Sequence, residues 1–218
     1  RVHTGHPEEV GLDVSVFTRN GVERIQRFAL NLARSRKRKK LTFVTKSNAQ
    51  RHGMVMWDDI FGNLSSEYGD IEIDRMLVDA MTTRMVLNPS SIDVVVATNL
   101  HADILSDLAA ALSGSMGIAP TANLDPSGNF PSMFEPIHGS AFDIMGKGIA
   151  NPIGAFWSAS MMLDHLGEQK AATELMIAIE RLTEEGKFLP RDLNGKADTI
   201  EVADRVIDFI TGQNYQPD

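Results

Sequence analysis

Residues 93–107, DVVVATNLHADILSD, restrict the fold more than any other stretch of this chain. Val94, Val95 and Val96 are an apolar run of the kind that makes a buried strand. Thr98 and Asn99 break the run, and a helical pattern follows with Ile104, Leu105 and Leu108 as its apolar stripe. A strand leading into such a helix points it at the crevice beyond the strand's carboxyl end, where open α/β folds usually bind ligands. Asp103 and Asp107 are four apart, so on a helix they share one face. Two carboxylates so close repel each other unless water screens them or a cation sits between them. Hard oxygen ligands suit Mg²⁺ or Mn²⁺ better than zinc. Taken alone, the pair reads more readily as a solvated acidic face than as a metal site.

The 218 residues suffice for one or two domains with a sizeable core. A net charge of −8 argues against a general nucleic-acid binder. The absence of cysteine excludes disulfides, thiolate metal sites and a cysteine nucleophile, and fits a reducing compartment, so the expected location is the cytoplasm. No apolar run approaches the roughly 18 to 20 residues of a membrane span. The start, RVHTGHPEEV, has neither an initiator Met nor a signal-peptide pattern, and reads as a chain lacking something upstream.

Residues 1–18 are polar, with Val10, Leu12, Val14 and Val16 alternating onto one side, an extended arm or edge strand. Asn20 is a fair N-cap for a helix carrying Val22, Ile25, Ala29 and Leu32 at helical spacing. That helix runs into Arg34, Arg36, Lys37, Arg38, Lys39 and Lys40. The run could be a phosphate-binding or localisation patch, but cations at a helix end more often offset the dipole and stay solvated. Residues 41–45 read as a strand that delivers Lys46 and Asn48 at its carboxyl end. A lone Lys there is usually a strand terminator; in a cleft it becomes an acid/base group. Helix is expected over residues 54–68, a short strand over 71–73, and an amphipathic helix over 74–86 ended by Asn88 and Pro89. Asp79 adjoins the apolar side of that helix, so it is either paired or functional.

The texture changes at Ser113. Residues 114–154 hold seven Gly and five Pro, too many for regular helix, and interspersed apolar residues favour an ordered loop region. Glycines that allow close approach, a His and an Asp are what a nucleotide-binding loop needs. Neither the dinucleotide fingerprint G-x-G-x-x-G nor a P-loop is present. Three helices finish the chain: 152–165, nearly apolar all round and hence buried; 168–185, stopped by Gly186; and 199–211.

Four blocks now carry a family resemblance: TKSN at 45–48, VDAM at 78–81, NLHADILSD at 99–107 and FEPIHGSAFDIMGKGIANP at 134–152. With these the chain resembles the metal-dependent, NAD(P)-linked β-decarboxylating dehydrogenases, which include isopropylmalate, isocitrate and tartrate/D-malate dehydrogenases. VFTRNGVERI at 16–25 and GIAPTANLDPSGNFPSMFEP at 117–136 look most like the tartrate/D-malate branch. The resemblance implies an α/β, isopropylmalate/isocitrate dehydrogenase-like two-domain fold that is not a Rossmann fold, here truncated at its N-terminus. Residues 1–113 would be the small central or dimerisation domain with its arm, and 114–218 the C-terminal half of the large cofactor-binding domain.

The resemblance also implies roles by position. Asp103 and Asp107 match metal ligands, and Asp79 the carboxylate that a partner subunit adds to the same metal. Lys46 matches the catalytic lysine, which also reaches into the neighbour's site, so a homodimer with a shared active site is implied. Asn48 matches a residue near the nicotinamide. Glu135, His138, Gly139, Asp143, Ile144 and Asn151 match the adenosine side of the cofactor site. A carboxylate at Asp143 favours NAD over a cofactor with a 2′-phosphate. The implied cofactors are NAD and Mg²⁺ or Mn²⁺, with K⁺ left open, and the implied substrate is a 2-hydroxy acid: tartrate, or D-malate with decarboxylation. The arginine cluster and catalytic tyrosine of the family lie upstream of Arg1. Two residues depart from the pattern. His101 is an extra ligand, a substrate contact or simply a packed side chain, and Phe142 replaces a usual Pro. The rival readings are an isopropylmalate or related dehydrogenase, a catalytically silent or regulatory subunit, and a nucleic-acid binder through the basic run.

Overall fold

A computed structural model describes residues 1–212, arranged as two compact units that divide at Leu105/Ser106. The dividing point falls inside a helix, upstream of the change in texture at Ser113.

In the first unit, helix α1 (Arg19–Ser35) is followed by β1 (Lys40–Thr45), α2 (Gly53–Ser65), β2 (Glu72–Leu77), α3 (Val78–Leu87) and β3 (Val94–Val96). The sheet is parallel, in the order β2-β1-β3. Its central strand β1 is buried from Leu41 through Thr45, as a parallel strand covered on both faces must be. Phe43 stacks on Phe61 with ring centroids 3.9 Å apart and on Trp57 at 5.7 Å, and the Trp57 indole N–H donates to the Val44 carbonyl at 3.1 Å. Leu30, Ala33, Met54, Ile60, Val94 and Val96 complete this core. Each fully buried large side chain contributes roughly 1.5–3 kcal/mol relative to exposure.

Several expectations shift here. Thr18, not Asn20, caps α1, because its hydroxyl accepts the Gly21 N–H. The buried stripe of α1 is Val22, Gln26, Ala29, Leu30 and Ala33, while Ile25 and Leu32 are each 42% exposed. Gln26 is tolerated inside because its Nε2 donates to the Trp57 carbonyl at 2.9 Å. The helix expected from residue 74 begins only at Val78, since Asp74 to Leu77 continue β2 in register with Thr42 to Thr45 of β1. The N-terminal arm forms a single bridge, Val2 to Val10, and Leu12, Val14 and Val16 are exposed.

Helix α4 (Asn99–Leu112) crosses the dividing point. In the second unit, β4 (Pro120–Asn123) and β5 (Met133–Pro136) form an antiparallel hairpin, an element that the Gly/Pro-rich texture concealed. The Asp125 carboxylate shapes its tip by accepting the backbone N–H groups of Ser127, Asn129 and Phe130. Residues 137–152 follow without helix or strand. Helices α5 (Ile153–His165), α6 (Gln169–Glu185) and α7 (Thr199–Thr211) close the chain. Helix α5 packs on the hairpin and on α6, and α6 on α7, around Ile153, Ala178, Leu182, Val202 and Val206. Contrary to expectation α5 is only partly buried, with Ile153, Gly154, Ser158 and Ser160 inside. Gly186 ends α6 in the left-handed conformation, and an Asp198–Glu201 capping box starts α7. Among the described residues no helix is long and apolar enough to cross a membrane.

Candidate active site

Two parallel strands position the first group of residues. β1 ends at Thr45 and β2 at Leu77, which are register partners, so the residues that follow each strand emerge side by side. Lys46 leaves β1 and Asp79 lies in the first turn of α3. The Lys46 ammonium donates to Asp79 Oδ1 at 2.6 Å. This hydrogen bond, above all, holds the Asp79 carboxyl below the usual carboxylate range. Thr45 anchors the turn: its hydroxyl donates to Asp58 Oδ1 at 2.6 Å and accepts the Ser47 N–H. Asn48 is exposed in that turn.

Asp103 and Asp107 are both exposed on α4, on consecutive turns. The donor set suits a hard divalent cation. Among the described residues no three His, Asp or Glu side chains of one chain come together as a metal site. His101 belongs to the packed side of α4: it is 8% exposed and its Nδ1 is buried without a partner. Burial, and then the charge of Lys46, push its pKa below the ordinary imidazole value.

The second group lies in the second unit, around a cavity of about 730 Å³. That volume falls in the range of small-molecule and cofactor pockets. His138, Gly139, Ile144 and Asn151 of the expected set line it, together with Met116, Met145, Gly146 and Gly148. His138 Nδ1 lies 3.0 Å from the Gly139 carbonyl. A Cβ at Gly139 would meet no atom within 4 Å, so neither packing nor backbone conformation demands glycine there, whereas Gly146 and Gly148 adopt positive φ, which itself favours glycine. Open space over backbone is what a closely approaching cofactor needs. Glu135 on β5 and Asp143 are exposed and are not among the lining residues. Ser115, Gly117, Arg191 and Asp192 line the cavity too, and no local sequence signal marked Arg191 or Asp192.

A family model described as isocitrate/isopropylmalate dehydrogenase matches residues 1–206. The chain belongs to this family. Within the isocitrate/isopropylmalate dehydrogenases its affinity is to the tartrate branch. It is 64% identical over 214 residues to a probable tartrate dehydrogenase/decarboxylase of Agrobacterium vitis, covering 98% of this chain and 58% of that protein. It is 47% identical over 215 residues to the decarboxylating D-malate dehydrogenase of Escherichia coli (strain K12), covering 96% of this chain and 59% of that one. Among solved structures, isocitrate dehydrogenase from Methylococcus capsulatus superposes with a TM-score of 0.86 at 40% identity, over 90% of this chain and 58% of the other. The fold is thus that of the isocitrate/isopropylmalate dehydrogenases, and the chain spans less than two thirds of the length of these relatives.

The basic run does not form a free cationic patch. Arg34 pairs with Asp70 at 2.6 Å, Lys40 with Glu72 at 2.7 Å, and Arg36 with the buried Asp93 at 2.7 Å, while Arg38 donates to the Ile92 carbonyl. These cations tie α1 and β1 to neighbouring segments while, as expected, most of them stay exposed to solvent.

Proposed function

We propose that the protein carrying this chain is an NAD- and divalent-metal-dependent dehydrogenase that oxidises tartrate or D-malate, the latter with decarboxylation. The observation that carries this reading is the Lys46–Asp79 pair at the ends of two parallel strands, in a chain 47% identical to a D-malate dehydrogenase. Lys46 holds and moves the proton of the reacting hydroxyl and of the carbon that loses CO₂. Asp79 keeps the ammonium oriented and charged between turnovers. Asp103 and Asp107 hold the cation with Asp79 of a second copy. When bound, NAD⁺ supplies the hydride acceptor and the divalent ion supplies Lewis acidity at the substrate oxygen. His138, Gly139, Ile144 and Asn151 bind the adenosine half, with Glu135 and Asp143 at its edge and Asn48 toward the nicotinamide. Asp143 on the ribose hydroxyls favours NAD.

On this reading the first unit is the small dimerisation domain, and the second the C-terminal half of the cofactor-binding domain. A homodimer is supported by apolar side chains that the first unit leaves exposed on α3 and α4: Val86, Leu87, Leu100 and Ile104. The test is NADH formation by the intact protein with tartrate, D-malate or isopropylmalate, with and without Mn²⁺. Metal-dependent turnover of tartrate or D-malate is expected. Turnover of isopropylmalate alone would move the protein to another branch, and no turnover of any hydroxy acid would overturn the reading.

A further inference from the structure

The cavity in the second unit has a wall built around one carboxylate. Asp192 Oδ2 accepts a hydrogen bond from Asn151 Nδ2 at 2.9 Å and another from the Ser115 hydroxyl. Ser115 Oγ in turn accepts the Gly117 N–H at 2.9 Å. Asn151 Oδ1 accepts the Ile153 N–H at 2.9 Å, where α5 begins. Ser115, Gly117, Asn151 and Asp192 all line the cavity. Gly117 leaves no slack in this group: a Cβ there would lie 2.5 Å from Asp192 Oδ2 and 3.0 Å from Asn151 Cβ.

A primary amide can present either its oxygen or its NH₂ to a ligand, and the two faces have opposite recognition polarity. Here the surroundings decide between them. An ionised carboxylate only accepts, so it demands the NH₂ of Asn151, and a backbone N–H only donates, so it demands the oxygen. Once both ends are tied, the NH₂ has one N–H remaining. The bond to Asp192 is charge-assisted and is the stronger of the two restraints.

We propose that Asp192 is a positioning residue of the adenosine pocket, fixing Asn151 as a hydrogen-bond donor so that the pocket selects a ring bearing an acceptor nitrogen. This rests on the cavity being the adenosine site and adds to it the residue that sets its polarity. Asp192 acts through Asn151, its Oδ2 being taken up by Asn151 and Ser115.

The test measures binding of ADP-ribose to the intact protein by calorimetry, beside analogues in which N1, N3 or N7 of adenine is replaced by C–H. The wild-type protein should lose about tenfold in affinity with one of the three analogues, the scale of one hydrogen bond. Asp192→Ala should bind ADP-ribose about tenfold more weakly, and the selective loss should disappear. Asp192→Asn, which keeps shape and an acceptor oxygen but can also donate, should fall between the two and serves if the alanine variant does not fold. A merely structural wall would lower affinity for all four ligands alike and keep the analogue-specific loss, and that result overturns the proposal. Wild-type protein that binds ADP-ribose without any analogue-specific loss also overturns it and leaves the cofactor reading standing. Failure of the wild-type protein to bind ADP-ribose or NAD⁺ brings down both.

Discussion

The Lys46 ammonium and the Asp79 carboxylate lie 2.6 Å apart although they come from different strand ends. The pairing places a candidate proton-moving group and a candidate metal ligand in one hydrogen bond, so any change at one residue is felt at the other.

Replacing Lys46 with Ala should lower kcat by about 10²–10⁴-fold, the contribution of a positioned acid/base group. NAD⁺ affinity should stay near the wild-type value, because Lys46 is not among the residues that line the cavity with His138 and Asn151. Single-turnover kinetics and a separate NAD⁺ titration check the two halves of this expectation.

The same variant has a spectroscopic consequence. With Lys46 present the Asp79 carboxyl titrates below the ordinary carboxylate range. A carboxylate depressed in this way adds stability above its unfolded pKa and loses that stability as the pH falls through its folded value. In Lys46→Ala the Asp79 midpoint should rise toward the ordinary value. Carboxyl-carbon NMR titration reads it directly, and an unmoved midpoint would remove Lys46 as the cause.

Asp103→Asn should weaken Mn²⁺ binding by more than the about 10–100-fold that loss of an outer-shell partner costs, since a candidate direct oxygen ligand loses its charge. A Mn²⁺ titration followed by electron paramagnetic resonance gives the affinity. An unchanged curve would remove Asp103 from the metal site.

Gly195→Ala should destabilise the second unit by about 1–3 kcal/mol or more, because the new methyl would overlap the Leu189 carbonyl, which already accepts the Ala197 N–H at 3.1 Å. The urea midpoint is the measurement. An unshifted midpoint would mean that the loop from Leu189 to Ala197 relaxes at no cost.

Much of this was legible in the sequence because it is local. Strand β3 and helix α4 follow from one apolar run and one helical period, and Thr199 to Thr211 form α7 at the expected limits. The errors arise where a partner distant in sequence decides. Met76 and Leu77 fit a helical stripe, but pairing with Val44 and Thr45 makes them strand. Gln26 looks like a surface residue until Trp57 offers its carbonyl. The candidate site shows the same division. Lys46, Asp79, Asp103 and Asp107 stand in compact motifs, whereas Asp192 meets Asn151 from 41 residues away, and nothing near PRDLNG announces it.

Lys46 is rooted in the most completely buried strand of its unit, with five successive residues from Leu41 to Thr45 shut away from solvent. A side chain can tolerate a changing neighbourhood only if its own attachment point stays put. Substitutions in the exposed turn that begins at Asn48 can therefore reshape the surroundings of the Lys46 nitrogen while leaving its address unchanged.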